Sequence, residues 1–409
     1  MSYYEISNSD KVSKKSLVRQ LVDILQVDIA GKSVDDSGDT VDEKTRKKYE
    51  VFVTGGQENG EVTSSLFHTV FDQNNELQTS NEMLDMTIGL YESGSTVSGS
   101  IESTDASGKL VFGDDTLMMR EKINMYKQYA QVLLGDASSS FYAPFSSEAD
   151  GDRIDEALFI NFKRLFVRDG LDKEQFSIKI HKEVSSVNDA NGNNIDVVPS
   201  DATKFLLYSD ANATQNLSVS TISGQIGNIV NEAADETVGL IFYDKGICIF
   251  DAAKILKSDD NITGVINAVT GSAEDNFDQQ TATINFDGDL IPNFWVSGSI
   301  DNILDHIAGT RFGRDNNTAI GLINHTAINS TIYFCRVGPN DANFSTNPTY
   351  INSDGNIRSI QERGDDPFTY VTTVGLYDIS GELLAVAKTS RPIEKNPEVD
   401  LSISVRIDY

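Results

Sequence analysis

The sequence predicts an α+β, β-rich, multi-domain fold with a short helical pair and a C-terminal antiparallel β-sheet. Three observations lead to this prediction. The last nine residues, Leu401–Tyr409, alternate apolar and polar side chains without a break, which is the period-2 pattern of a half-buried strand. Short runs rich in β-branched and aromatic residues recur along the chain. Apolar residues at helical spacing occur in only a few short stretches.

The 409 residues suffice for two or three domains with substantial cores. We predict four segments. Residues 1–60 form an N-terminal arm or helix and a first strand, and residues 61–183 form β-structure plus the helical pair. Residues 184–235 are a polar, loop-rich insertion, and residues 236–409 are a C-terminal β-rich domain.

The composition excludes several classes of protein. The chain has 33 Lys or Arg and 62 Asp or Glu residues, a net charge of −29, which repels nucleic acid phosphates. This acidity does not predict disorder, because 39% of the residues are hydrophobic and 20 Phe and 14 Tyr can fill cores. We therefore expect a folded protein without a nucleic acid partner.

The cysteine content and the N-terminal residues bear on whether the protein is exported and whether it crosses a membrane. Only Cys248 and Cys335 are present, each in an apolar strand-like run, so buried free thiols are favoured over a single disulfide. The first residues have no apolar signal core, and no apolar run is long enough for a membrane span. We expect a protein that is not exported by a signal peptide and has no membrane partner.

Residues 1–30 carry apolar residues at helical spacing, preceded by basic residues. The apolar residues are Leu17, Val18, Leu21, Val22 and Leu25, and the basic ones are Lys11, Lys14, Lys15 and Arg19. Two interpretations are open: a short amphipathic helix packed on its own domain, or an arm that docks on an acidic neighbour. A strand is predicted at Tyr49–Thr54, closed by two glycines.

Residues 61–113 are predicted as β-structure with long loops. Strands are expected at Val62–Phe71 and Leu84–Tyr91. Residues 93–108 are rich in Ser, Gly and Thr, which is typical of an exposed hairpin or a mobile loop.

The helical pair follows. The first helix begins after N-cap candidates at Asp114–Thr116 and runs to about Leu134, where Gly135 ends it. Its core stripe is Met119, Ile123, Tyr126, Ala130 and Leu133. The second helix is predicted over residues 153–167. Its core face is Ile154, Leu158, Phe162, Leu165 and Phe166.

The middle of the chain returns to strands. A strand is predicted at Phe176–Ile180. The segment Asn188–Asp196 superficially resembles a calcium loop, but its glycine is misplaced and the twelfth position from Asp189 is Ser200, so a turn is favoured over a metal site. Residues 239–250 are predicted as a hairpin in which Gly246 supplies the left-handed turn conformation.

A helix near residues 299–308, a strand at Asn329–Arg336 and a turn at Asn343–Pro348 complete this part. At the C-terminus, strands at Phe368–Tyr377 and Glu382–Ala387 flank turn residues and predict a β-hairpin. Ser390–Ile393, followed by Asn396-Pro397, is expected to connect this hairpin to the last strand, because each proline lacks an N–H and disfavours helix at the residue before it. The predicted core residues of the closing sheet are Tyr377, Leu384, Val386, Ile403, Val405 and Ile407.

Catalytic, cofactor and metal motifs are not found in the sequence. His68, His181, His306 and His325 form no zinc-binding spacing, and His306 is predicted on a helix surface. Ala30–Ser33 ends like a phosphate loop, but Gln26 stands where the motif requires glycine. We therefore predict no catalytic, cofactor-binding or metal-binding residue and a non-enzymatic scaffold or binding component.

The C-terminal block carries a resemblance. Val374–Asp378, Gly381–Ala387, Arg391-Pro392 and the strand Leu401–Tyr409 resemble the C-terminal sheet of virion proteins of contractile-tailed bacteriophages. Segments from residue 61 onward, including Ser65–His68 and residues 118–124, are similar to structural proteins of large T4-like phages. The resemblance is specific in residues 367–409.

This resemblance implies a structural component of a phage virion, placed most closely with the tail baseplate wedge proteins. The chain would form a homo-oligomer and would bind other virion proteins. Assembly would take place in the bacterial host cytoplasm. A head decoration, neck or tail-fibre attachment protein has the same sequence features and is the alternative. A carbohydrate-degrading tail component is a further alternative, which would require a carboxylate pair in a cleft.

Overall fold

The computed structural model confirms an α+β, β-rich fold in which antiparallel strands far outnumber helices. The structure describes residues 5–30, 33–34, 40–41, 46–51, 64–74, 77–94, 97, 103–104, 110–111, 117–181, 184–188, 194–199, 205–256, 295–312, 317–345, 347–358 and 366–409.

The strands in chain order are β1 Lys11–Leu25, β2 Ser33–Val34, β3 Thr40–Val41, β4 Arg46–Val51, β5 Ser64–Phe71, β6 Glu82–Leu90, β7 Ser103–Thr104, β8 Leu110–Val111, β9 Glu156–Phe162, β10 Gly170–Leu171, β11 Ser177–Ile180, β12 Val184–Asn188, β13 Asn194–Pro199, β14 Leu206–Ser209, β15 Ser218–Ser220, β16 Gly224–Asn231, β17 Thr237–Phe242, β18 Ile247–Asp251, β19 Thr318–Val337, β20 Thr369–Tyr377, β21 Leu383–Lys395 and β22 Leu401–Asp408. The helices are α1 Gln26–Ala30, α2 Leu117–Leu133, α3 Arg164–Val167, α4 Ala252–Ile255, α5 Trp295–Ser297 and α6 Ile300–His306, and a π-helical turn, Ile307–Arg311, follows α6.

Contacts between residues divide the chain into two units. Unit 1 comprises Met1–Val18 and Ala327–Tyr409, and unit 2 comprises Arg19–Thr326. Strands β1 and β19 each continue from one unit into the other along the chain. The four segments predicted from the sequence stay a prediction.

Unit 2 is built on a large antiparallel sheet with the strand order β19, β11, β14, β16, β17, β18, β9, β6, β5, β4. The predicted hairpin at residues 239–250 is confirmed, since β17 pairs with β18 and Gly246 has a φ of +67°. Residues 205–235, predicted as part of a loop-rich insertion, instead supply β14, β15 and β16 to this sheet. Their short apolar runs between polar residues give a weak strand pattern, yet Ile226 and Ile229 of β16 lie in the core.

Helix α2 is confirmed over Leu117–Leu133, while its predicted N-cap residues, Asp114–Thr116, lie outside the described residues. All five residues of the predicted stripe are buried, and Gly135, with a φ of +87°, lies just beyond its end. The helix packs directly on β6, because a Cβ on Gly89 would lie 2.9 Å from the backbone nitrogen of Tyr126. The Tyr126 hydroxyl donates a hydrogen bond to the Ile154 carbonyl and accepts one from the Phe141 backbone N–H, each at 2.9 Å. This contact fixes the loop after α2 against the helix.

The second predicted helix, residues 153–167, is wrong. The segment forms strand β9, followed by the single helical turn α3. Strand β9 lies between β6 and β18, and residues 156–160 and Phe162 are buried. A strand that is buried on both faces has apolar residues at nearly every position, so helical spacing arises in it by coincidence.

The predicted N-terminal helix is also wrong, because residues 11–25 form strand β1 along β19. Only its last residues are in the core: Val22 and Ile24 are buried with Asp23 exposed between them, which is strand periodicity. Pairing with a 20-residue neighbouring strand overrides the local helical spacing.

Two sets of paired strands lie in unit 1. Strand β22 pairs with β19 from Ser330↔Asp408 to Val337↔Leu401, and β1 also pairs with β19. Strands β20 and β21 form a separate two-stranded sheet, the hairpin. Both the hairpin and the closing strand were predicted from the sequence and are confirmed.

One detail of the hairpin differs from the prediction. Ser390–Ile393 is not a connection to the last strand but lies within β21. The pairing changes from Thr373↔Lys388 to Val371↔Ile393, so four residues of β21 stand opposite Thr372 alone. Because proline has no N–H to donate, Pro392 is tolerated in this long bulge, where the hydrogen-bond ladder is interrupted.

Candidate interaction surface

The six predicted core residues of unit 1 divide into two groups. Val405 is buried, with 6% of its surface exposed, opposite Tyr333 in the β19–β22 ladder. Ile403 and Ile407 are half-buried on the same strand.

The other three lie on the hairpin and are exposed, so their prediction as core residues is wrong. The exposed fractions are 38% for Tyr377, 68% for Leu384 and 52% for Val386. The alternating pattern correctly predicted a two-faced strand. It could not show which face is covered: Leu376 is buried on the opposite face, while the face of Val386 is open.

The base of the hairpin is held firmly by polar contacts. Lys395 is fully buried, and its Nζ donates hydrogen bonds to the Asn343 Oδ1 at 2.7 Å, the Asn396 carbonyl at 2.7 Å and the Pro339 carbonyl at 3.0 Å. The Thr369 hydroxyl donates to the Ala342 carbonyl at 2.5 Å. The loop that follows β19 therefore clamps both strands where the hairpin begins.

The tip of the hairpin is ordered by its own turn. The Asp378 carboxylate accepts hydrogen bonds from the Glu382 backbone N–H at 2.8 Å and from the Ser380 hydroxyl at 2.7 Å. These bonds hold the pKa of Asp378 below its ordinary value. Gly381 has a φ of +86°, which an L side chain would resist. The turn leaves Ile379 fully exposed at the tip.

Apolar side chains cover the part of the hairpin between base and tip. The Tyr377 ring lies over Gly375, where an added Cβ would be 2.8 Å from the ring and 3.3 Å from Leu383. We name the exposed residues Tyr377, Ile379, Leu383, Leu384 and Val386 the hairpin apolar surface. Apolar groups concentrated in this way on one element mark an interaction site more often than scattered surface residues do.

Strand β1 is a second exposed element of unit 1. From Lys11 to Val18 every residue except the half-buried Ser16 is exposed, so both faces of the strand face solvent. It is tied to β19 by side-chain contacts of Ser13 with Thr331 at 3.1 Å and of Lys11 with the Tyr333 ring at 5.9 Å. The basic residues of the predicted arm thus lie on a strand rather than on a helix.

Unit 1 has little core of its own. Among its described residues, Leu376 and Val405 are the buried apolar side chains, and neither belongs to the continuous core cluster, which lies within unit 2 between Val22 and Leu322. Unit 1 has about 100 residues, a size at which a domain normally needs a buried core to be stable.

The charge is just as unevenly divided. Unit 1 has 10 Lys or Arg and 13 Asp or Glu residues, a net charge of −3. Unit 2 has 23 and 49, a net charge of −26. The acidity that repels other acidic chains therefore belongs to unit 2, and unit 1 can approach another copy at little electrostatic cost.

The histidines lie in varied surroundings. His306 is buried, not on a helix surface as predicted, and burial together with Arg311 lowers its pKa well below the ordinary value. His325 Nδ1 lies 2.7 Å from the Asp172 carboxylate, which also binds the Arg19 guanidinium. This pair was missed because 153 residues separate its members and neither stands in a motif.

Cys248 is a buried free thiol as predicted, and Cys335 is free and half-buried. Within the described ranges, His, Cys, Asp and Glu side chains form no group of three that could hold a metal ion. The helices in those ranges are all too short or too polar to cross a membrane. Gly31 and Lys32 of the phosphate-loop-like segment and the predicted turn at residues 189–193 lie outside the described residues, as does most of the Ser/Gly-rich segment 93–108.

Comparisons with protein-family models, with curated proteins and with solved structures found no match to this chain.

Proposed function

We propose that this chain is a non-enzymatic structural subunit of a contractile-tailed phage virion, and that unit 1 is the part that joins it to neighbouring subunits. Its place in the tail baseplate wedge rests on the resemblance of residues 367–409 to virion proteins. Its partners are further copies of itself and other baseplate or tail subunits.

One observation carries the assembly role. Unit 1 keeps apolar side chains exposed on its hairpin while only Leu376 and Val405 are buried apolar residues in its described part. Subunits of obligate assemblies complete their cores across interfaces, which resemble a domain core cut in two. A nearly neutral unit with an incomplete core is suited to that task, and the acidic unit 2 is suited to keep the free subunit soluble.

The test is gold labelling of intact particles of the virus that encodes the chain, with an antibody raised to the purified chain. Gold at the tail tip supports the baseplate assignment. Gold at the head, the neck or the fibre attachment site retains the structural role and replaces the location. If intact particles bind no gold, the same antibody is applied to denatured particles. Detection of the chain only after denaturation indicates an interior position. Particles from which the chain is absent altogether contradict the proposal.

A further inference from the structure

Strand β19 has a neighbouring strand on each side within unit 1. Strand β22 pairs with residues 330–337 of β19. Strand β1 lies along the same residues, because the Ser13 hydroxyl is 3.1 Å from the Thr331 hydroxyl. One edge of a strand accepts a single neighbour at any point, so β1 and β22 lie on opposite edges of β19. In the part of the chain that the structure describes, the outer edges of β1 and β22 are both open.

These two edges differ in how they are protected. Strand β1 carries exposed lysines at Lys11, Lys14 and Lys15, and lysines on an edge strand oppose its pairing with a like strand. Strand β22, Leu401–Asp408, has neither a lysine nor a proline, and its pairing with β19 has no register shift. The edge of β22 therefore lacks the features that prevent another strand from pairing with it.

The backbone of β22 is correctly oriented for a further strand. Asn329 and Tyr409 exchange both backbone hydrogen bonds, at 3.0 and 2.8 Å. Such pairs alternate with non-hydrogen-bonded pairs along an antiparallel ladder, so the odd-numbered residues of β22 bond to β19. The even-numbered residues from Ser402 to Asp408 direct their N–H and C=O groups to the outer edge, and their side chains are exposed.

We propose that β22 pairs antiparallel with β22 of a second copy, about a twofold axis at Val405, so that the two copies share one continuous sheet. This inference rests on the assembly role proposed above and identifies one contact that performs it. The axis places the two Val405 residues opposite each other and Ile403 opposite Ile407 of the other copy. Leu401 lies opposite Tyr409 of the other copy, whose side chain is 73% exposed in the single chain.

The proposed pairing extends the apolar face of β22 across the interface. Residues directly opposite each other in an antiparallel ladder lie on the same face of the sheet. The odd-numbered residues of both copies therefore form one face. Val405 is buried in the single chain, whereas Ile403 and Ile407 are half-buried. A neighbouring strand covers the part of these two side chains that is still exposed.

Like charges oppose the two adjacent registers. With the axis moved to Ser404, Asp400 would lie opposite Asp408 of the other copy. With the axis at Arg406, the two Arg406 side chains would lie opposite each other. Like charges directly opposite destabilise an antiparallel pair, and each of these pairings would carry such a repulsion.

The proposed axis avoids both repulsions and gives the longest ladder. It pairs residues 401–409, whereas an axis two residues away in either direction leaves only residues 405–409 or residues 401–405 paired. Each charged side chain of the strand then faces a serine of the other copy: Arg406 lies opposite Ser404, and Asp408 lies opposite Ser402.

Charge also favours a second copy as the occupant of this edge. Strand β22 has one arginine and one aspartate and is neutral, and unit 1 as a whole has a net charge of −3. Two copies therefore meet at this edge at little electrostatic cost. A strongly charged partner would gain no net attraction from β22.

Two cysteine variants test the register directly. In the proposed dimer the Cα atom of residue 404 is about 5.5 Å from that of residue 406 of the other copy, within disulfide reach. Residue 404 and its own symmetry mate are about 8 Å apart, beyond that reach. We expect an equimolar mixture of full-length S404C and R406C to give disulfide-linked heterodimers on mild oxidation, identified by their mass. Each variant alone and the unsubstituted chain are expected to stay uncrosslinked.

The same experiment reports the other registers. An axis at Ser404 would crosslink S404C alone, and an axis at Arg406 would crosslink R406C alone. Either result overturns the proposed register. A mixture that crosslinks no more than the single variants overturns the pairing.

A proline on the outer edge tests the pairing without a new covalent bond. The N–H of residue 404 points away from β19, so S404P removes a hydrogen bond to the other copy and none to β19. We expect S404P to weaken the dimer Kd about tenfold or more in sedimentation equilibrium, and the matched control S404A to stay within about threefold. Hydrogen exchange of dilute S404P should show residues 330–337 still protected.

Two results of the proline experiment would contradict the proposal. If S404P dimerises as strongly as S404A, the outer edge of β22 is not the interface. If residues 330–337 lose protection in dilute S404P, the N–H of residue 404 bonds to β19 and is not available to a second copy.

These outcomes separate the inference from the proposed function. Gold on the particle together with an uncrosslinked mixture of S404C and R406C retains the structural role and rejects the β22 pairing. A crosslinked mixture together with particles that lack the chain retains the pairing and rejects the virion role.

Discussion

Strands β9 and β21 have similar apolar runs and opposite surroundings. Residues 157–160 of β9 read Ala-Leu-Phe-Ile, and residues 383–386 of β21 read Leu-Leu-Ala-Val. The first run is completely buried, because β9 has a strand on each side and helix α2 nearby, whereas three of the four residues in the second run are exposed. The number of neighbours, not the strand's own sequence, decides whether apolar residues become core.

The same contrast distinguishes the two units. Unit 2 buries its apolar residues in one core cluster, whereas unit 1 exposes apolar residues of its hairpin to solvent. The stability of unit 2 should therefore be independent of protein concentration, and the stability of unit 1 should depend on it, because association stabilises the associating form by mass action.

The largest effect is expected in the core of unit 2. Phe159 is fully buried and stacks on Tyr129 with ring centroids 4.1 Å apart. F159A should destabilise unit 2 by about 3–5 kcal/mol, since it removes an aromatic ring from a closed core. Denaturant unfolding at two protein concentrations should give the same loss. The control V219A, at a residue 71% exposed on β15, should change stability by less than about 0.5 kcal/mol.

The next effect concerns the small core of unit 1. V405D places a carboxylate at a buried position between β22 and β19, and we expect a loss of about 2–4 kcal/mol in unit 1. Hydrogen exchange should then be fast in residues 369–409 and unchanged in unit 2. A soluble variant in which residues 369–409 stay protected would contradict the assignment of Val405 to the core.

Lys122 should make the stability of unit 2 depend on pH, which distinguishes unit 2 from unit 1. It is fully buried on α2, and its Nζ donates hydrogen bonds to the Trp295 carbonyl at 2.9 Å and the Val296 carbonyl at 2.8 Å. Burial lowers its pKa from 10.5 to about 7, and Glu121 opposes this shift. Between pH 7 and 9 the unfolded chain therefore binds a proton that the folded chain does not, so the stability of unit 2 should rise with pH.

The slope of this rise is at most about 1.4 kcal/mol per pH unit. Below pH 7 both states bind the proton of Lys122, so the contribution of Lys122 to the slope vanishes. Above pH 9 the buried thiol of Cys248, whose pKa is raised, contributes a slope of opposite sign. K122M should abolish the rise, and the control K127M, at a half-buried lysine of the same helix that pairs with Glu92, should retain it. A rise of the same size in K122M would exclude Lys122 as its source.

The smallest effect on folding is expected at the hairpin. Leu384 is exposed in the single chain, so L384D should change the stability of a chain dilute enough to be monomeric by less than about 0.5 kcal/mol. In the proposed assembly the same aspartate lies within the hairpin apolar surface, so association through that surface should be weakened. Sedimentation of L384D and unsubstituted chains compares the two. Association of L384D as strong as that of the unsubstituted chain would place the interface elsewhere.

Much of this fold could be predicted from local pattern. Helix α2, the β17–β18 hairpin, the β20–β21 hairpin and β22 each combine one clear period with a recognisable stop signal, such as Gly135 or Gly246. The failures have a common cause. Strands β1 and β9 carry helical spacing, and only their pairing with distant strands, which no local window contains, makes them strands.

The candidate interaction surface could be predicted only in part. The sequence correctly marked Leu384 and Val386 as apolar members of an alternating strand and wrongly placed them in a core. Periodicity shows that a face is apolar, but whether the covering layer comes from the same chain is a property of the tertiary structure. An exposed face with a core pattern is what a subunit of an assembly presents.

Unit 1 is proposed to complete its fold by association, whereas unit 2 encloses its core within one chain. Hydrogen exchange of the full chain, measured at two protein concentrations about a hundredfold apart, tests this most directly. We expect protection of residues 369–395 to increase with concentration while protection of α2 and β9 stays constant. Protection that is equally strong at both concentrations throughout the hairpin would contradict the account.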